Sequence, residues 1–349
     1  MGSEVRERRQ PALVRLGCLW MLLSGFSPGP DPVDGVDAPA LAMAPAPPPK
    51  AAQKASAKWR LSIDTSILAD SNVTNSTDDR SIVTYQGNIV LPVPLDPALR
   101  AHEGIGASVA VAAGAELPVS EAVWLVVDAE ALALDYGGDA NDDSSILVGA
   151  GPLVRWDGGE ASVQLILFDR WYGGISASSG TGIRSRYQAQ VAPGQRIVLI
   201  AEARFFESDY GTQFGGSQGG LYLTYESVLD PLTAASAGVF ARRDWLREDA
   251  YSSLELGAYG GLSRYLGPDL TGSLSAGLSR VLFDAPVQFL SPERREDWRF
   301  YATLSLTTRR PIGWGVHPSL SYSYNRTRSS TQFFGADRHR LRFGLSRNF

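Results

Sequence analysis

The sequence predicts an all-β protein: a transmembrane, antiparallel, up-and-down β-barrel of about 14 strands, of outer-membrane type. Three observations carry this prediction. Apolar and polar residues alternate with period two over most of the chain beyond residue 57. The connections between these segments alternate short and long. The chain ends on an aromatic residue, and its first residues carry the marks of an export signal. Successive strand side chains point to opposite faces, so each alternating segment has one apolar and one polar side. An even strand number, short turns at one end, long loops at the other, and an apolar outside over a polar inside describe a bacterial barrel. Only closure satisfies strand hydrogen bonds in lipid. A soluble β-sandwich explains the alternation, but not the loop asymmetry, the export signal and the terminal aromatic together.

The elements follow in order. Residues 1–42 read as a signal peptide: Arg6, Arg8 and Arg9 form a basic start, Leu16 to Phe26 is an apolar run too short to span a bilayer, and Ala40-Leu41-Ala42 is a small-x-small cleavage site. Residues 43–57, with Pro45, Pro47, Pro48 and Pro49, read as a linker. The barrel is expected over 58–349. Its clearest strands place Trp59, Leu61, Ile63 and Ile67 opposite Arg60, Ser62, Asp64 and Ser66. Further on, Trp298, Phe300, Leu304 and Leu306 oppose Arg299, Tyr301, Ser305 and Thr307, and Leu341, Phe343 and Leu345 oppose Arg342, Gly344 and Ser346. Three segments, 121–134, 144–156 and 235–243, do not reveal which face is outward.

Tight turns are expected at Pro118-Val119, Asp157-Gly158-Gly159, Pro193-Gly194, Asp230-Pro231, Gly267-Pro268-Asp269 and Pro311-Ile312-Gly313. Long loops are expected at about 70–102, 136–143, 172–182, 208–217, 243–251, 284–296 and 326–337. An even strand count puts both termini on the periplasmic side. Trp124, Trp156, Trp171, Tyr172, Tyr265 and Trp298 fall near strand ends, where an interfacial girdle belongs. The stretch 70–102 is the longest connection and the best plug candidate.

Composition narrows the function. Of 349 residues 44% are hydrophobic and 20% charged, with a net charge of −5 and no basic tract in the body, which argues against nucleic-acid binding. One cysteine excludes a disulfide framework, and three histidines, His102, His317 and His339, leave little for a metal cluster. Mean hydropathy is −0.09, but half of each barrel strand faces water and the average cancels. Gly215-x-Ser217-x-Gly219 matches the spacing of a nucleophile elbow without the following helix that such an elbow needs. Asp70 to Asp79 has a calcium-loop flavour but lacks the Gly and Glu of that motif, so a solvated outer loop is expected. No catalytic, cofactor or metal residues are assigned, and the chain is not expected to be an enzyme.

Charged residues forced inward by parity are the candidate functional set: Asp64, Glu202, Arg204, Glu226, Glu255, Arg299, Arg309, Arg340 and Arg342. They could contact a passing chain, set ion selectivity or pair with one another across a polar interior. Arg280 and Arg347 break the outward pattern and are expected at an interface, where long side chains snorkel.

Arg294-Arg295-Glu296-Asp297, Pro318-x-Leu320-x-Tyr322-x-Tyr324-x-Arg326 and Asp337-x-His339-x-Leu341-x-x-Gly344-Leu345, running to the terminal Phe349, stand in an order that resembles the C-terminal barrel of the surface lipoprotein assembly modifiers, known as Slam. Asp70-Ser71-Asn72 after the first strand and Arg170-Trp171-Tyr172-Gly173-Gly174 at the end of the fifth fit the same pattern. The resemblance implies a 14-stranded outer-membrane barrel that helps a client protein or lipoprotein reach the cell surface. Phe349 looks like the general barrel-assembly signal, which implies the barrel-assembly machinery and outer-membrane lipids as partners. Family members often carry a helical tetratricopeptide domain before the barrel. No 34-residue repeat is found here, which puts client recognition in doubt: a separate partner could supply it, or the chain could be a barrel-only relative with another role. The alternative is a barrel-only, porin-like channel for small polar solutes.

Overall fold

The computed structural model describes residues 56–349; the expected signal peptide, and the linker up to residue 55, lie outside the described residues. The strands are β1 (Lys58–Asp70), β2 (Ser81–Gln86), β3 (Ile89–Pro94), β4 (Gly104–Pro118), β5 (Val123–Asp135), β6 (Asp143–Trp156), β7 (Gly159–Tyr172), β8 (Ile175–Ala192), β9 (Gln195–Glu207), β10 (Gly216–Asp230), β11 (Thr233–Leu246), β12 (Ser253–Tyr265), β13 (Leu270–Phe283), β14 (Glu296–Thr308), β15 (His317–Ser329) and β16 (Ala336–Asn348). Fourteen of them, β1 and β4–β16, form one closed barrel in which sequence neighbours pair, and β2–β3 is a separate hairpin. Every wall pair is antiparallel. The circle closes where Ser62–Asp70 of β1 lies against Arg340–Asn348 of β16.

The alternation works as lipid and lumen faces. Leu165, Leu167, Phe205, Val239, Leu274, Leu304 and Phe343 all stand exposed on the outside. That is untenable in water over so wide an area and is what a lipid face requires. Trp156 and Trp298 are exposed near opposite ends of the wall. Trp124 departs from the expected girdle: it is buried and turned inward, where it clusters with Val126 and Leu153. A second inward cluster joins Leu147, Ile166, Phe168 and Phe206.

Two connections differ from expectation. The loop expected at 172–182 is a two-residue turn at Gly173-Gly174, both with positive φ, and its Ser/Gly-rich remainder is the start of the 18-residue β8. Gly180 is there for close approach: a Cβ would run into the carbonyl of Phe205 on β9. The tight turn expected at Pro311-Ile312-Gly313 is the longer segment 309–316, pinned by an Ile312–Val316 bridge.

The longest connection, 71–103, folds onto the other long loops. Ile82 and Leu95 pack with Ala250, Val287, Leu290, Phe333 and Phe334 into one apolar cluster at that rim, and the Tyr85 N–H donates to the Phe289 carbonyl at 2.8 Å. β3 is exposed along its length, so the hairpin sits on the rim and is not enclosed as a plug. The stretch expected to be a solvated loop, Asp70 to Asp79, is instead packed at its start. Asn72, Thr74, Ser76 and Thr77 are buried, and the Asn72 amide donates to the carbonyls of Ser76 (2.8 Å) and Asp337 (3.0 Å). Asn supplies donor and acceptor at once, which lets a turn bury its backbone.

Candidate functional site: the lumen wall

The inner wall is a set of ion-paired belts. At the closing seam, Asp70 is fully buried and accepts from Arg338 (Nη2, 2.6 Å), Arg340 (Nε, 2.9 Å) and the Tyr136 hydroxyl (2.6 Å). Burial pushes the Tyr136 hydroxyl, which stands just beyond β5, up to about 12. One row further in, Arg342 donates to Ser66 Oγ (2.7 Å) and Ser108 Oγ (3.4 Å). Asp64 shares this face, with Arg342 as the charge acting on it.

A second belt crosses β11–β14. Glu255 accepts from Arg242 Nη2 (2.5 Å) and Ser279 Oγ (2.6 Å), and Arg299 Nη1 stands 3.6 Å away. Arg299 also reaches Asp297 (3.9 Å), which is clasped by both arms of Arg295 (2.9 and 2.5 Å). Glu255 and Asp297 are essentially unexposed, so pairing is obligatory: an isolated buried carboxylate costs several kcal/mol. A third belt holds Glu202 between Arg184 (2.7 Å) and Arg204, and pairs Glu226 with Arg196. The Arg204 guanidinium lies 4.9 Å from the centre of the Phe168 ring. Toward the short-turn end, Glu116 gathers Lys58 (3.6 Å), Arg60 (3.8 Å) and Arg155 (2.8 Å).

The short-turn half of the strands that carry the Glu255 belt is different. On β12–β15 the inward positions toward the short turns are Ser263, Ser273, Ser275, Thr303, Ser305, Ser321 and Ser323, whose neighbours Leu262, Leu274, Leu304 and Tyr322 are exposed outside. Between this hydroxyl wall and the Glu255 belt lie the inward rings of Tyr222, Phe240, Tyr259 and Tyr301. Tyr222 and Phe240 stack at 5.8 Å. Gly238 and Gly277 make room for Tyr259 and Tyr301, since a Cβ at either glycine would meet the ring.

Of the nine charged candidates, the structure groups Glu202 with Arg204 and Glu255 with Arg299. It sets Arg340 against Asp70, and it places Glu226 and Asp64 on the same inner surface. Arg309 stands apart: it follows the last residue of β14, is exposed, and lies 4.0 Å over the Tyr265 ring at the short-turn rim. Phe349 follows β16, its N–H donating to the Leu61 carbonyl at 2.9 Å and its ring under Arg347 at 4.3 Å. Sequence reasoning missed Asp70, Asp297, Arg242 and Arg338. Parity alone would have found Asp70, three pairs of residues along the same strand from Asp64, had the strand been carried to its end.

Ser217 lies within β10, next to Phe205 and Trp245 on the outside, with strand rather than helix following it. His102, His317 and His339 each bond in a separate place, to Arg100 O, Thr308 O and Tyr322 Oη. Among the described residues no cluster of His, Cys, Asp and Glu could hold a metal ion.

Comparison with known proteins gives a family. Residues 59–349 match the surface lipoprotein assembly modifier family, which is the entire wall. No curated protein matches by sequence. Solved outer-membrane structures are similar in outline. They include the outer membrane protein OpdK from Pseudomonas aeruginosa (11% identity, 84% of this chain and 98% of that one, TM-score 0.44). A bacterial polysaccharide outer membrane secretin is similar at 9% identity, covering 82% and 98%, TM-score 0.45. The TodX monoaromatic hydrocarbon channel is similar at 10%, covering 82% and 89%, TM-score 0.44. With its wall matched from the first strand to the last residue, this outer-membrane barrel belongs to the surface lipoprotein assembly modifier family.

Proposed function

We propose that this barrel assists the export or surface display of a client lipoprotein or secreted protein, without covalent chemistry or a cofactor. The observation that carries the reading is the family match along the whole wall, residues 59–349. The lumen suits the task. Most of its fixed charges are paired with one another, and its hydroxyl-lined side offers short, exchangeable hydrogen bonds to an extended chain at little desolvation cost. In this reading both termini are periplasmic and the long-loop rim faces the outside. Phe349 is the signal read by the barrel-assembly machinery. The test is deletion of the chain followed by protease shaving of intact cells that express their surface lipoproteins with epitope tags. Loss of shaving is expected, and unchanged shaving overturns the proposal.

A porin-like channel for small polar solutes is the second reading, favoured by the mixed-sign polar lining. Steady conductance of the purified barrel without any client supports that alternative.

A further inference from the structure

The lipid-facing side of the long-loop rim is electrically lopsided. Outward Asp135, Asp169 and Glu207 stand at or near the ends of β5, β7 and β9, whereas outward Arg243, Arg280, Arg326 and Arg328 crowd the arc from β11 to β15, three of them paired with Asp284, Glu296 and Asp337. Within that arc the register sets Arg280, Trp298 and Arg328 side by side on β13, β14 and β15. Neighbouring strands are about 4.8 Å apart, so the two arginines flank the indole across roughly 10 Å. Arg280 leans over Trp298 at 5.7 Å. Below the row stands Arg326, and below that Tyr324 and His339, their rings stacked at 4.8 Å. The order from the rim inward is therefore basic, aromatic, aliphatic.

Two carboxylates share the patch: Glu296 bonds Arg280 at 2.6 Å and Asp337 stands 3.4 Å from Arg326. Arg328 is exposed and has no ion pair among the described residues, leaving the patch one positive charge in excess. A cation on the lipid face costs about 2–4 kcal/mol at mid-membrane and close to nothing at the interface, so this row belongs at headgroup level. There, Arg forks bind phosphate bidentately, and Trp and Tyr are at home.

We propose that the Arg280–Trp298–Arg328 row, with Arg326 below it, binds the phosphate of an anionic lipid headgroup in the leaflet that meets the long-loop rim. The occupant is a lipid because the row faces outward from the wall, level with headgroups, and its charge is complementary to theirs. The leaflet's identity rests on the orientation proposed above; the binding itself does not.

The test uses the purified full chain in detergent and native mass spectrometry, with diphosphoryl lipid A as the probe. Expected results are retention of the lipid, at least tenfold weaker retention by R280Q/R328Q, and wild-type retention by R264Q, an outward arginine near the short-turn end of β12. Heat-modifiable gel mobility confirms that each variant is folded. R328Q alone breaks no ion pair and serves if the double variant does not fold; it is expected to weaken retention as well. Wild-type retention by R328Q and the double variant, equal retention of a dephosphorylated lipid A, or complete competition by millimolar inorganic phosphate overturns the proposal. Unchanged client display in the deletion strain, with lipid retention by the purified chain intact, would overturn the export reading alone.

Discussion

The Asp70→Asn substitution tests the seam most sharply. Asp70 lies at the end of β1, and its two arginine partners belong to β16, so the cluster fastens the first strand of the wall to the last. The Asp70 side chain is 0% exposed, Arg338 11% and Arg340 18%. At an effective dielectric of about 20, a pair of unit charges about 4 Å apart attracts by about 4 kcal/mol. Removing one partner of a buried pair costs about 3–5 kcal/mol, chiefly by stranding the other charge. Here two guanidiniums are stranded, but the site is at a strand end where water can enter. The expected loss is therefore at the low edge, about 3 kcal/mol, or roughly a hundredfold in the folding equilibrium. Urea titration of the barrel in lipid vesicles, read by heat-modifiable gel mobility, measures it. If stranded charge is the cause, the D70N/R338Q/R340Q triple variant recovers most of the loss. A loss below about 1 kcal/mol, or a triple variant no better than D70N, refutes the reasoning.

Glu255→Ala is expected to cost about 3 kcal/mol in the same titration, because Arg242, which is buried, loses a carboxylate that is only 3% exposed. Gly277→Val drives a side chain into the Tyr301 ring; overpacking of this kind costs about 1–3 kcal/mol, and adding Tyr301→Ala is expected to restore part of it. Asp284, in the β13–β14 loop, is held below its ordinary value by the bonds from Arg243. A depressed carboxylate contributes stability above its unfolded pKa, about 3.9, and loses it as pH falls through the folded value. Protease cleavage of that loop should therefore rise on acidification below about pH 4 in the wild type, and be fast and flat with pH in D284N.

Much of the architecture was legible because β1, β13, β14 and β16 alternate cleanly. Each has aliphatic or aromatic residues outside and Ser, Thr, Arg or Asp inside. β5 and β6 were not legible in direction, because their inner faces also carry apolar residues: Trp124 and Val126 on one, Leu147 and Leu153 on the other. Composition misled at β8, where Ser176 to Gly182 reads as a loop. Those small residues are needed where strands approach closely, and a turn of only two glycines precedes them. The rim cluster was invisible, since Ile82, Leu95, Val287 and Phe334 come from loops far apart in sequence and meet only once the barrel has closed. Inward charges follow from parity, but their partners do not. Glu255 and Arg299 lie on strands that are not neighbours, and only the register of β13 between them brings them to 3.6 Å.

The central claim is that a client passes along the inside of this wall. Strand parity supplies an internal control for it, because Leu304 faces lipid and Ser305, the next residue, faces the lumen. A photo-crosslinking amino acid is placed at each position in turn, in cells that express the epitope-tagged lipoprotein whose display is lost on deletion of the chain. The account predicts crosslinks to that lipoprotein from position 305 and none from 304. Equal crosslinking from both positions, or none from 305 while the lipoprotein still reaches the surface, would contradict it.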